Sequence, residues 1–218
     1  NLDGFFVTSG RIIIPGDSFF TEDPLNILRL FYFSSEQNLL IHPNAVKALR
    51  ESLGLVNAKL RASREANDLF LKILLSKKNA ESTLRAMNES GVLGRFISDF
   101  GKIVGLMQFN MYHHFTADEH LLRAIGELNK LFYSSGSNVP DLVRDLIEEG
   151  LNKKILTIAL FFHDIAKGRD EDHSEVGALI VEKFSERFQL TDYEVETIAW
   201  LVREHLITVS YTHLTLPT

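Results

Sequence analysis

The chain has 218 residues, with 23 basic against 29 acidic side chains for a formal charge of −6 and 45% apolar residues. Those are ordinary values for one large globular domain or two small ones, and they exclude wholesale disorder and collagen-like or low-complexity classes. The acidic balance argues against non-specific nucleic-acid binding, and the longest apolar run, Ile155 to Phe162, is about half of a membrane span. Cysteine is absent, so disulfides and thiolate metal sites are excluded and any metal must be held by His, Asp or Glu.

In chain order, Phe5-Phe6-Val7 and Ile12-Ile13-Ile14 flank Thr8-Ser9-Gly10-Arg11 and predict a small hairpin. The pattern then turns helical. Thr21-Glu22-Asp23-Pro24 offers a cap with Pro at the first helical position, followed by Leu25, Leu28 and Phe31 at helical spacing. His42-Pro43 opens a second helix that stops at Gly54, and His42 is read there as a structural residue. Further helices are predicted over Ala66 to Leu75, over Asn79 to Ser90 with Gly91 as the stop, and over Phe96 to Met107.

The second half is more sharply punctuated. Thr116-Ala117-Asp118-Glu119 reads as a capping box, in which hydroxyl and carboxylate satisfy free N–H groups reciprocally. It leads the stripe Leu121, Ile125, Leu128 and Phe132. A loop over 134–138 precedes a short helix from Pro140 to Glu149. Asn152 to Lys167 predicts a buried helix capped by Gly168, and Ser174 to Phe188 another. Thr191-Asp192-Tyr193-Glu194 is a second capping box, leading through Ile198, Leu201 and Val202 to His205. The fold class is therefore all-α with a small β element at the start, divided near residue 109.

One constellation carries chemistry. His163-Asp164 ends the most apolar helix, and an ionised Asp beside a buried face is unfavourable unless it is paired or binds a metal. A lone His-Asp pair is commonly no more than a histidine with its own hydrogen-bond partner. Here His173 follows at the start of the next helix, His205 continues an apolar stripe, and His120 lies beside the inner face of its helix. Neutral imidazole and carboxylate suit Zn, Mn or Fe, and facing helices of a bundle build such sites. Four unrelated core histidines remain the alternative. Lys167 stands one turn after His163, where it either places positive charge on phosphate oxygens or is a helix-end lysine stabilised by the dipole. Arg169 offers the same more weakly, and His113 and His114 read as surface or packing residues.

His163-Asp164-Ile165-Ala166-Lys167-Gly168 with an upstream His resembles the signature of the HD phosphohydrolase superfamily. The resemblance extends to Met111 through His120, to Asp172-His173-Ser174-Glu175 and to Ala199 through Leu206, which are similar to the bacterial PII uridylyltransferase/uridylyl-removing enzymes. Asp23 through Phe31, Ile41-His42-Pro43 and Met87 through Phe96 are similar to the helical segment between that family's nucleotidyltransferase and HD domains. The resemblance implies that 1–109 is this helical segment and that 110–208 is an HD bundle. It implies His120, His163 and Asp164 as metal ligands, with His173 and His205 joining them where two metals bind. The cofactor is then a divalent metal, Mg, Mn, Zn or Fe, with His163, Asp164 and Lys167 as catalytic residues.

The implied reaction is hydrolysis of the phosphodiester between uridylate and a tyrosine of the PII signal protein, releasing UMP in the cytoplasm, with glutamine sensed by domains not present in this chain. No nucleic-acid or membrane partner is expected. The alternatives are an HD hydrolase of another nucleotide and a non-catalytic regulatory module. Two departures stand out. Residues 209–218 read as a non-native tail where the family pattern has a further Asp after the last His. The chain also opens without Met, and neither Asp3 nor Asp17 belongs to a carboxylate pair beside a Gly-Ser turn, so no transferase site is expected and an internal stretch of a longer protein is.

Overall fold

In a computed structural model, residues 2–107, 115–133 and 140–207 are described. The predicted hairpin forms: β1 (Phe6–Thr8) pairs antiparallel with β2 (Arg11–Ile13). Ser9 and Gly10 at its tip both have positive φ, 49° and 71°, the twist that two-residue hairpin turns need. A third strand, β3 (Leu40–Ile41), lies parallel beside β2. Two residues are too few to show a period, so sequence pattern gives no sign of it.

The first helices differ from expectation mainly at their starts. Phe19–Glu22 form a short α1, and α2 (Asn26–Gln37) begins after Pro24, with Asp23 accepting a hydrogen bond from the Leu25 N–H at 3.0 Å. α3 (Pro43–Glu51) is capped by His42, whose Nδ1 accepts from the Asn44 N–H at 3.1 Å. A 3-10 turn over Leu53–Leu55 continues past the expected stop at Gly54. α4 (Ala58–Ala62) and α5 (Arg64–Leu74) follow, and then α6 (Ala80–Glu89), which closes at Gly91 with φ 82°.

The single helix expected over Phe96 to Met107 does not form. Instead α7 (Val92–Phe96) and α8 (Ser98–Gly101) break at Ile97 and fold against each other. Gly94 and Gly101 meet backbone to backbone: a Cβ on Gly101 would lie 2.5 Å from the Gly94 carbonyl oxygen. Only glycine at both positions permits that approach.

α9 (Ala117–Tyr133), α10 (Asp141–Glu148), α11 (Lys153–Phe162), α12 (His173–Phe184) and α13 (Asp192–Arg203) make the second half. Both arms of the Thr191–Glu194 capping box are present. At the other predicted box the Glu119 carboxylate is taken by Arg85, and the Thr116 hydroxyl bonds to Asp118. α11 ends at Phe162, five residues before the expected Lys167, and the chain turns through 163–168 to Gly168 at φ 77°. α12 likewise ends at Phe184 rather than Phe188, and the chain then reverses at Gln189 with φ 49°.

The architecture is all-α with a three-stranded sheet near the start. One hydrophobic core runs through both halves. Phe161 of α11 stacks on Phe100 of α8 at 5.6 Å and 4°, and meets Phe70 of α5 edge-on at 5.9 Å. The expected division near residue 109, the loop over 134–138, His113, His114 and the expected tail over 209–218 lie outside the described residues. Among the described residues no helix is long and apolar enough to cross a membrane.

Candidate metal centre

Four helix ends converge on one carboxylate. Asp164 sits in the turn just after α11, with its side chain 2% exposed. Asn152 starts that helix by accepting from the Ile155 N–H, and its apolar face of Ile155, Ile158, Ala159 and Phe162 fixes it in the core. His163 precedes Asp164 in the same turn. His120 lies in the first turn of α9, His173 opens α12 behind its cap Asp172, and His205 follows α13.

The two oxygens of Asp164 face different histidines. Oδ2 lies 3.4 Å from His163 Nε2 and 3.6 Å from His120 Nε2. Oδ1 lies 3.5 Å from His205 Nε2 and 3.8 Å from His173 Nε2. Among the described residues these donors form two triads, His120–His163–Asp164 and Asp164–His173–His205, each with ligand atoms within 4.8 Å of one another. The triads share Asp164 alone.

The donor chemistry fits a metal. His163 Nδ1 lies 2.7 Å from the Leu160 carbonyl, and His205 Nδ1 lies 2.7 Å from the Val202 carbonyl. A carbonyl oxygen only accepts, so each Nδ1 carries the proton, and in a neutral ring Nε2 presents a bare lone pair to Asp164. Histidine ligands are held in this way by an outer hydrogen bond. Asp164 Oδ1, His173 Nε2 and His205 Nε2 are all buried without a hydrogen-bond partner among the described residues. Buried polar atoms are rarely left so, and a cation between them would satisfy all three.

Electrostatics agree. Burial would raise the Asp164 carboxyl, but His163, His205 and Lys167 outweigh it and hold the group well below the usual carboxylate range. Burial lowers the His173 imidazole, against the opposing pull of Asp164, and so favours the neutral form that a ligand needs. Burial also acts to lower His205, but Asp164 and the Val202 carbonyl raise it above its ordinary value. A metal cation would take the place of that proton.

The five residues expected as metal ligands are therefore brought together. Lys167 is there too, its Nζ 2.6 Å from Asp164 Oδ2. Arg169 is not: its guanidinium donates to Asp99 Oδ1 at 2.7 Å and ties the site turn to α8. Asp99 carries no local sequence signal, since its partner lies 70 residues away.

Residues 5–96 match the family described as the uridylyltransferase GlnD third domain, and residues 118–212 match the HD domain. Over 212 residues the chain is 47% identical to a bifunctional uridylyltransferase/uridylyl-removing enzyme of Azospirillum brasilense, which covers 97% of this chain and 23% of that enzyme. The chain thus spans about a quarter of that relative's length. Among solved structures, a tRNA-processing enzyme in an apo form superposes with a TM-score of 0.60 at 19% identity, over 95% of this chain and 49% of its own. A tRNA-processing enzyme complex gives 0.59 at 17% identity, over 95% and 47%. These two likenesses concern the fold alone.

Proposed function

We propose, for a chain that corresponds to the third-domain and HD-domain stretch of the bifunctional uridylyltransferase/uridylyl-removing enzymes, that it houses the hydrolytic half of their chemistry. The substrate is the uridylylated PII signal protein, the bond cleaved joins uridylate to a tyrosine oxygen, and the product is UMP. The reaction is cytoplasmic, and the response to glutamine belongs to parts of the enzyme outside this chain. In this reading 1–109 is the supporting helical segment and 110–208 the catalytic unit.

The observation that carries the reading is the pair of Asp164 oxygens, each facing two imidazole Nε2 atoms. His120, His163 and Asp164 would hold one divalent metal, and Asp164, His173 and His205 a second. A metal bound there supplies Lewis acidity toward a phosphoryl oxygen and makes a water more acidic. The protein's own groups do the rest. The Leu160 and Val202 carbonyls fix two imidazoles in the ligating tautomer. Lys167 carries positive charge to the carboxylate side of the site, where a phosphodiester oxygen would compete with Asp164 for its ammonium.

In the full-length enzyme, His163→Ala or Asp164→Ala should reduce UMP release from uridylylated PII by at least about 10³-fold, since ligands that act as a unit fail together. Uridylyl transfer to PII should stay within a few-fold of normal. Equal loss of both activities in a folded variant would refute the assignment. Hydrolysis of free nucleotides with no release of UMP from PII would favour an HD hydrolase of another substrate.

A further inference from the structure

The metal centre is not held by its own helices alone. α9, which brings in His120, packs on α6 as well as on α11, and α6 lies within the stretch matched to the uridylyltransferase third domain. The contact is close: Glu81 of α6 lies over Gly126 of α9, where any side chain would collide with its carboxylate.

Two residues of α6 grip the first turn of α9. Asn88 Nδ2 donates to Asp118 Oδ2 at 2.8 Å, and the other oxygen of Asp118 accepts from the Gly105 N–H at 3.1 Å. Asp118 is 6% exposed, so those bonds form out of water. Next to it, Arg85 forms an ion pair with Glu119 and a second with Glu81 at 2.8 Å. Asp118 and Glu119 immediately precede His120. The turn is further anchored where the Ala117 N–H donates to the Leu106 carbonyl at 2.9 Å.

We propose that Asn88 and Arg85 are positioning residues for the metal centre: they set the height and rotation of the first turn of α9, and so the place of the His120 imidazole. This rests on the metal reading of the His–Asp cluster. A ligand must sit within roughly 0.2 Å of its ideal distance to coordinate, and charge-assisted bonds on both neighbours of one turn supply that constraint. The consequence is one-sided. The position built by His120, His163 and Asp164 depends on α6, whereas the position built by Asp164, His173 and His205 does not. The third domain thereby becomes part of the hydrolytic site without touching substrate.

The test is Mn²⁺ titration of the full 218-residue chain, read by calorimetry, with circular dichroism as the check on folding. Asn88→Asp sets two carboxylates against each other, and it should weaken Mn²⁺ binding by about 10–100-fold, the usual effect of losing an outer-shell partner. In a His120→Ala background it should have no further effect, because the ligand it positions is gone. The exchange Asn88→Asp with Asp118→Asn restores a donor facing an acceptor and should recover most of the affinity. Arg85→Gln, on a part-exposed side chain, gives a milder loss of the same pattern and serves if Asn88→Asp does not fold. An equal loss with and without His120, or no loss in either variant, would overturn the positioning role. If the unmodified chain binds no Mn²⁺ at all, the metal reading falls first and the positioning role with it.

Discussion

Lys153 and Lys154 are adjacent and identical in type, and nothing local separates them. Lys154 forms an ion pair with Glu194 at 2.7 Å, closing α11 onto the capping box of α13. Lys153 points the other way. Its Nζ lies 4.1 Å above the Tyr133 ring, buried and, among the described residues, without a hydrogen-bond partner, and Lys77 stands over the same ring at 5.7 Å. Burial, and then the charge of Lys77, push the Lys153 ammonium down from 10.5 to about 8. A folded pKa below the unfolded one means that unfolding takes up a proton between those two values. The penalty is thus complete below about pH 8 and fades as pH rises toward 10.5. Urea unfolding should show stability rising across that window, and Lys153→Met should raise stability at pH 7 and flatten the slope. An unchanged slope in the variant would show that Lys153 is not the group responsible. Asp164 is the opposite case, since a carboxylate at the end of the most apolar helix announces itself in sequence.

In the second half of the chain, helix starts were more legible than helix stops. The Thr191–Glu194 capping box is a contract among four neighbouring residues and forms as read. The similar string at Thr116 does not keep its Glu119 for itself, because Arg85, 34 residues earlier, offers a charge-assisted partner. Nothing in the local pattern marks the stops at Phe162 and Phe184, and the break at Ile97 accompanies a close backbone approach rather than a helix-breaking residue. That approach, of Gly94 to Gly101, gives a prediction at this scale. Gly101→Ala places a methyl 2.5 Å from the Gly94 carbonyl oxygen, and backbone must move to admit it. The expected loss is about 1–3 kcal/mol in urea unfolding, the usual range for overpacking. Gly54→Ala, where a Cβ would meet nothing within 4 Å, should be neutral or slightly stabilising. Similar effects for the two substitutions would contradict the close crossing.

For the whole molecule, the decisive feature is the aromatic seam between halves. Phe161 contacts Phe100 and Phe70 from the first half and Phe162 from its own helix, and Phe70 also stacks on Phe188 at 5.9 Å. A seam of that kind makes the two matched stretches unfold together. Trp200, on α13, reports the second half, and far-ultraviolet circular dichroism reports every helix. Their denaturation curves should coincide. Phe161→Ala should shift both midpoints down together, with a loss of about 3–5 kcal/mol. Two separated transitions in the parent chain would mean that the halves are independent units.

The sequence by itself determined the all-α class, the hairpin, the helix caps that depend on near neighbours, and the identity of Asp164 and of the five residues that surround its carboxylate. Those signals are local: alternation, helical period, a hydroxyl three residues before a carboxylate, a charge at an apolar helix end. Tertiary structure alone decided that Asp164 turns one oxygen to His120 and His163 and the other to His173 and His205. It also decided that Arg169 serves Asp99 and that α6 grips the helix carrying His120. The physical reason is sequence distance. Apart from His163 and His173, which lie one and nine residues from Asp164, these contacts join groups tens of residues apart, and which partner a charge or lone pair finds depends on how the helices between them pack.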